Sequence, residues 1–321
     1  MSTDYQARAS LKRMTRAFFD EAGFLEVDTP ILVKQPGVEV HMDFFETQWR
    51  DFHQKPHSRS LRTSPELHLK ILLSQGFEKI YEIAPVFRNG GELTEWHHPE
   101  FTMIEWYQTH TGFDEFILQT EAFFLKTQES FCRSANKTKI IQRPLTTLTV
   151  GEAFEQFVGI ELIDQDPHLA QKGLKQGVLS VNEQDDFETA FFKILLEKIE
   201  PKLKKLEFVC LKDFPPSQAI LSKIIGQSAK RFEFYIHGIE LCNAFLECFD
   251  LQENQARLQY ANDQRRVLGK PLIQQDEKFY QALQKPIPEC CGNALGFDRW
   301  LALLQSKVVI DDVISFRNSF P

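Results

Sequence analysis

The stretch FRNGGELTEWHHPEFTMIEWYQ, Phe87 to Gln108, is the part of this chain whose reading decides the fold. As a strand, Phe101 to Tyr107 points Phe101, Met103, Glu105 and Tyr107 to one face and Thr102, Ile104 and Trp106 to the other, because side chains alternate with a period of two. One face therefore carries a ring, a carboxylate and a phenol together. The preceding run, KIYEIAPVFR from Lys79 to Arg88, is also strand-like and delivers Arg88 to the mouth of the polar segment. The pair reads as a hairpin with a long polar loop. Its charges are either solvated at a sheet edge or turned toward a charged ligand, and the rest of the chain has to discriminate.

Upstream, LKRMTRAFFDE (Leu11 to Glu21) has helical spacing in Leu11, Met14, Phe18 and Phe19, with Gly23 as a natural stop. A strand from Phe24 to Val27 follows, then Pro30. Ser64-Pro65-Glu66 opens a second helix, Pro65 to Ser74, with Ser64 as N-cap and Pro in the first turn. A third helix is expected over Phe113 to Phe131. From about 136 to 207 strand signals give way to helical runs such as Phe187 to Ile199, and the segment reads as an insertion. Its lysines, Lys198, Lys202, Lys204 and Lys205, form either a docking patch or a solvated helix face. Strands return at Phe208 to Lys212, Arg231 to Ile236 and Ile239 to Glu247, and a last helix, Arg299 to Gln305, follows GNALGFD. Strands connected through hairpins more often than through helices predict an α+β fold with a mainly antiparallel sheet flanked by helices.

The chain has 321 residues, 42% of them hydrophobic, enough for one large domain or two ordinary ones. Its 45 acidic and 37 basic residues give a net charge of -8, which disfavours a long nucleic-acid partner. The N-terminal residues contain no apolar leader, and no window approaches the roughly 18 apolar residues of a membrane span, so a cytoplasmic protein is expected. The six cysteines make neither a disulfide framework nor a paired C-x-x-C pattern and read as reduced thiols, Cys290 and Cys291 being small fillers at the edge of a strand. Neither a G-x-x-x-x-G-K-[ST] loop nor a G-x-G-x-x-G turn is present, so any ATP must be held by other means.

Three separated segments offer compatible chemistry. The hairpin supplies Arg88, a loop histidine and Phe101; the run IELCNAFLE supplies Glu240, Asn243 and Glu247; the segment before the last helix supplies Arg299. Arginines neutralise phosphate oxygens, an aromatic or guanidinium plane sandwiches adenine, and carboxylates hold magnesium or an ammonium group. That is the inventory of an adenylate-forming site.

In order along the chain these pieces resemble the three signature motifs of class II aminoacyl-tRNA synthetases. GFLEVDTPIL (Gly23 to Leu32) resembles motif 1, FRN through HPEFTMIEWY motif 2, and GNALGFDRW (Gly292 to Trp300) motif 3. RTSPELHLKILLSQGFEKIYEIAPVFRN is similar to the lysine-specific subclass. The resemblance implies that Arg88 grips the alpha-phosphate and the amino-acid carboxylate, that Phe101 stacks on adenine with Arg299 on its other side, and that His97 or His98 reaches the outer phosphates. It also places Asn89 and Glu92 at ATP. Glu240 would bind magnesium, with Glu247 as a second candidate ligand. Glu66 and Glu105 would meet an amino group near the reacting end, and Tyr107, Asn243 and Glu247 the terminal ammonium. Ser64, Ala294 and Gly296 would complete the substrate side. Strict alternation sets Glu240 on the face opposite Asn243, so either a bulge near Cys242 re-aims the strand or Glu240 is structural.

Only about ten residues precede the first helix, so no N-terminal anticodon-binding OB-fold is expected. That architecture, with Ser64 in TSPE and Ala294 in GNALG, resembles the elongation factor P lysine ligases, a family of lysyl-tRNA synthetase paralogues. The resemblance implies ATP and Mg2+ as cofactors, (R)-beta-lysine or lysine as substrate, elongation factor P as protein acceptor, a homodimer, and no stable tRNA binding. The chain departs from the pattern in Gly90-Gly91 before Glu92, in His98, in Ala244 and in Trp300.

Overall fold

The computed structural model describes residues 2–91 and 94–314, and its elements follow most of the periodicities just read. In chain order they are α1 (Ser2–Glu21), β1 (Leu25–Glu26), β2 (Leu32–Val33), β3 (Glu46–Arg50), β4 (Pro56–Leu61), α2 (Glu66–Leu73), β5 (Lys79–Phe87), β6 (Glu100–Thr109) and α3 (Phe113–Ala135). Then come β7 (Thr146–Thr149), α4 (Val150–Val158), α5 (Leu169–Lys175), α6 (Phe187–Ile194), α7 (Glu200–Leu206), β8 (Phe208–Phe214), β9 (Ile224–Ile225), β10 (Ser228–Ile236) and β11 (Ile239–Leu246). The C-terminal part adds α8 (Leu251–Val267), α9 (Glu277–Ala282), β12 (Cys290–Gly296) and α10 (Phe297–Leu304). Backbone contacts divide the chain into two units, one of residues 1–112, 122–140 and 248–321, the other of 113–121 and 141–247.

In the first unit β5 and β6 form the expected hairpin, pairing Glu82 with Glu105 and Val86 with Phe101. β12 adds antiparallel to β6, setting Ala294 opposite Glu105, and β1 adds parallel to β5. The Ile104 and Trp106 face is dry. Phe19 of α1 stacks on Tyr81 at 4.4 Å between centroids and meets Trp106 at 5.4 Å. Leu11, Phe18 and Phe19 are thereby buried within the chain itself. The apolar face of α1 is thus covered by the chain's own hairpin. The helix starts nine residues earlier than expected, at Ser2 rather than Leu11, and stops where Gly23 takes a φ of +76°.

A second, small sheet runs β2-β4-β3. The two sheets are tied by a buried cation: Arg62, at the end of β4, donates from Nη2 to Glu82 at 2.7 Å, from Nε to the Pro85 carbonyl at 3.0 Å and from Nη1 to the Thr29 hydroxyl at 2.7 Å. Thr29 in turn donates to the other oxygen of Glu82 at 2.7 Å. A buried ion pair persists only when its remaining donors and acceptors are satisfied in this way.

The second unit is built on antiparallel β11-β10-β8, with β7 parallel to β8. One side of these strands carries Val209, Leu211 and Tyr235 into a core with the helices, where Phe154 stacks on Phe191 at 5.2 Å. The run expected as one helix from Phe187 to Ile199 is α6 continued by a π turn over Leu195–Ile199. Lys202, Lys204 and Lys205 are exposed on α7. Among the described residues no helix is long and apolar enough to cross a membrane, and none of the six cysteines is in a disulfide.

Candidate active site

The long strand β6 aims the site. Its alternation puts Phe101, Met103, Glu105 and Tyr107 on one face, as expected, while the opposite face binds α1. Glu105 is only 1% exposed and is held from both sides: Ser64 donates to Oε2 at 2.6 Å and Tyr107 to Oε1 at 2.8 Å. Burial pushes its carboxyl up to about 8, and the neighbouring charge of Glu66 adds to the rise. Ser64 does more than cap. Its hydroxyl also accepts the Glu66 N–H at 2.9 Å, which fixes the start of α2, although the residue immediately before that helix is Pro65 rather than Ser64. Glu66 accepts an ion-pair hydrogen bond from Lys70, one turn on, at 2.7 Å.

At the other end of the same face the Arg88 guanidinium lies over the Phe101 ring, 5.2 Å from its centroid, a cation–π arrangement. The backbone N–H of Arg88 bonds Pro99 across the loop mouth. Arg299, in the first turns of α10, donates from Nε to the Trp96 carbonyl at 3.2 Å and lies with Nη2 2.9 Å from His97 Nε2. The two loop histidines are thus separated: His97 meets Arg299, whereas His98 turns its Nδ1 back to the Glu100 carbonyl at 2.6 Å. Asn89 bonds the Asp43 carbonyl through its N–H at 2.9 Å and caps Gly90 with its side chain. Glu92 lies outside the described residues.

Ala294 and Gly296 face Glu105 and Met103 from β12, and Ala294 packs with Ala84, Val86, Met103 and Phe101. A methyl on Gly296 would meet the Arg299 stem first, at an ordinary contact distance of 3.5 Å. The same turn carries Asp298, which receives Arg8 and accepts the Thr102 N–H at 2.6 Å, locking α10 to β6. Asp298 and Arg8 escaped the sequence reading. The GFDRW run itself was the available signal, since a buried acid beside a site arginine needs a cationic partner.

Glu240, Asn243 and Glu247 belong to the second unit. The β10·β11 register pairs Phe234 with Cys242 but Tyr235 with Glu240, so Leu241 is an extra residue. This bulge brings Glu240 to the face that carries Asn243 and settles the geometric question left open by strict alternation. Asn243 accepts from Arg231 at 3.1 Å, and Arg231 also pairs with buried Glu233, to which Tyr235 donates at 2.6 Å. Glu247, 4% exposed, is bridged to Ser222 just beyond the strand. Among the described residues no group of three His, Cys, Asp or Glu side chains forms a metal cage, and magnesium, which keeps several waters and takes one or two carboxylates plus substrate phosphates, does not require one.

The family described as tRNA synthetases class II (D, K and N) matches residues 1–319. Elongation factor P–(R)-beta-lysine ligase of Pasteurella multocida is 35% identical over 314 residues, 97% of this chain and 93% of that protein. The ligases of the same name from Avibacterium paragallinarum, 35% identical over 97% of this chain and 94% of theirs, and from Haemophilus influenzae, 33% identical over 96% and 93%, are similar to the same extent.

Proposed function

The chain belongs to the class II tRNA synthetases of the D, K and N group, and from that premise we propose that it activates (R)-beta-lysine with ATP and transfers it to a lysine side chain of elongation factor P. In the first step a carboxylate oxygen of the amino acid attacks the alpha-phosphorus of ATP, and the bond to pyrophosphate breaks. In the second, the neutral amine of the acceptor lysine attacks the carbonyl carbon, AMP leaves with the bonding pair, and a base takes the amine proton.

The observation that carries this reading is the buried Glu105 carboxylate, held by Ser64 and Tyr107 beside Glu66, on the same strand face as Phe101 and its Arg88 partner. A buried carboxylate pocket suits a diamino acid, because a desolvated ammonium needs an opposite charge. Arg88 neutralises charge developing on the alpha-phosphate, Phe101 and Arg299 take the adenine, and His97 and Asn89 serve the outer phosphates, a role that the family resemblance extends to Glu92. His98 reads as a loop support, since it is turned to the Glu100 carbonyl. Glu66 and Glu105 meet the amino group near the reacting carboxyl and Tyr107 the terminal ammonium, a role that the family resemblance assigns also to Asn243 and Glu247. Glu240 would hold magnesium, with Glu247 as the second ligand, and the ion would supply neutralisation of phosphate charge. Ala294 and Gly296 shape the space beside the reacting end. The net charge of -8 supports a reaction without stable tRNA binding and fits a soluble cytoplasmic enzyme.

Incubation with ATP, Mg2+ and (R)-beta-lysine should add one beta-lysyl group to elongation factor P, read by intact-protein mass spectrometry. Charging of lysine tRNA with no modification of elongation factor P would replace this reading by that of a free-standing lysyl-tRNA synthetase. We also infer a homodimer, now from Leu25, Ile31 and Leu32, which stay 50%, 40% and 41% exposed in the motif 1 region. Light scattering at micromolar concentration should give twice the chain mass.

A further inference from the structure

We propose that Glu39, which no motif picks out, is a third carboxylate of the amino-acid pocket and recognises the ammonium group nearest the reacting carboxyl. The inference rests on the functional reading above and names the residue that sets selectivity within it.

The segment 36–39 is folded onto the strand end that opens the pocket. Thr63, the neighbour of Ser64, donates its hydroxyl to the Pro36 carbonyl at 2.6 Å. A methyl on Gly37 would lie 2.5 Å from Glu39 Oε2 and 2.8 Å from the Thr63 hydroxyl, so the Glu39 carboxylate and Thr63 close over the same point. The side chain is steadied there by the Val38 N–H, which donates to Oε2 at 3.0 Å. Its backbone is pinned as well. Arg265 of α8, with 0% exposure, donates from Nη1 to the carbonyls of Glu39, Val40 and Met42 at 3.2, 3.0 and 2.8 Å, while its guanidinium rests 5.0 Å from the Phe44 ring centroid. One buried guanidinium holding three carbonyls fixes a loop that would otherwise be mobile.

The segment is held at both ends of the site: Thr63, next to Ser64, donates to the Pro36 carbonyl, and Asn89, next to Arg88, donates its N–H to the Asp43 carbonyl. Burial pushes the Glu39 carboxyl up, the charge of Glu66 pushes it the same way, and Arg88 pulls it down. Glu39 lies in the segment that runs from the neighbour of Ser64 to the neighbour of Arg88, between the side read as the amino-end pocket and the arginine read as the grip on the reacting carboxyl. An ammonium on carbon 2 or 3 of a diamino acid occupies that interval. A partly buried carboxylate beside another is costly until a cation arrives, so this arrangement suits a ligand better than a ligand-free core.

The test compares (R)-beta-lysine, which is 3,6-diaminohexanoate, with 6-aminohexanoate, which lacks only the near amino group, in amino-acid-dependent exchange of pyrophosphate into ATP. Glu39→Gln is isosteric and keeps an oxygen for the Val38 N–H. It should lower kcat/KM for beta-lysine by about 10- to 100-fold through KM, the loss of one charged hydrogen bond, while leaving 6-aminohexanoate and the KM for ATP within about twofold. Equal losses for both compounds mean a structural role for Glu39 and overturn the proposal, as does no loss for either. Glu39→Asp, which keeps the charge one methylene short, should fall between the two. It carries the same comparison if the Gln variant does not fold. A parent protein that exchanges with neither compound refutes the functional reading itself, and the inference falls with it.

Discussion

Glu105→Gln should make the protein more stable and unable to bind its amino acid. In the folded chain burial raises the Glu105 carboxyl to about 8 from an ordinary 4.5, so between those pH values the folded state holds a proton that the unfolded chain has released. Stability consequently falls as pH rises through that window and levels off above it. At about 1.4 kcal/mol per pH unit the full span amounts to about 5 kcal/mol. Glutamine mimics the protonated acid, and its oxygen and amide can meet the Ser64 and Tyr107 hydroxyls that now bond the carboxylate. Urea unfolding at pH 5, 7 and 9 should show the variant close to the parent at pH 5 and several kcal/mol more stable at pH 9. Ligand binding depends on pH with the opposite sign. An ammonium group selects the ionised carboxylate, so parent affinity for beta-lysine should tighten by up to about tenfold per pH unit from 6 to 8, with proton release measurable by calorimetry in buffers of different ionisation enthalpy. A stability difference between variant and parent that does not change with pH would refute the reasoning, because it would mean that Glu105 is already ionised in the folded protein.

Arg88→Ala should abolish pyrophosphate exchange, a loss of roughly 3 kcal/mol in transition-state terms or about 100-fold, and parent-like exchange would remove Arg88 from the phosphate grip. Ala294→Gly removes a methyl that packs with Phe101 and Met103 opposite Glu105. Since one methylene is worth about 1–3 kcal/mol, the preference for (R)-beta-lysine over alpha-lysine should narrow by about tenfold or more in competition assays, and an unchanged ratio would assign that preference elsewhere.

The elements that the sequence makes legible are those whose signal is local. Alternation in KIYEIAPVFR and EFTMIEWY needs no knowledge of neighbours, and the strands lie where the pattern sets them, one face dry against Phe19 and the other carrying Glu105. The motif order was equally open to reading, and membership of the class II synthetases agrees with it. Helix α8 was not foreseen, because the residues it buries are Asn254, Leu258, Ala261 and Arg265, and half of that face is polar. Its buried arginine is explicable only by the carbonyls of a loop more than 200 residues away.

Three decisions at the site belong to the tertiary structure. The face on which Glu240 lies depends on Leu241 being left out of the pairing with β10, and a bulge is a property of two strands, not of one. Which of His97 and His98 turns toward Arg299 is set in a loop of no period, where Arg299, itself anchored on the Trp96 carbonyl, meets His97 while the Glu100 carbonyl holds His98. The rise in the Glu105 carboxyl comes from burial and from Glu66, a residue on another element. Sequence spacing records which chemical groups a chain owns and how its strands alternate. Desolvation, register and the meeting of distant charges exist only once the chain has closed on itself, and those are what turn a row of carboxylates into a pocket for a cation.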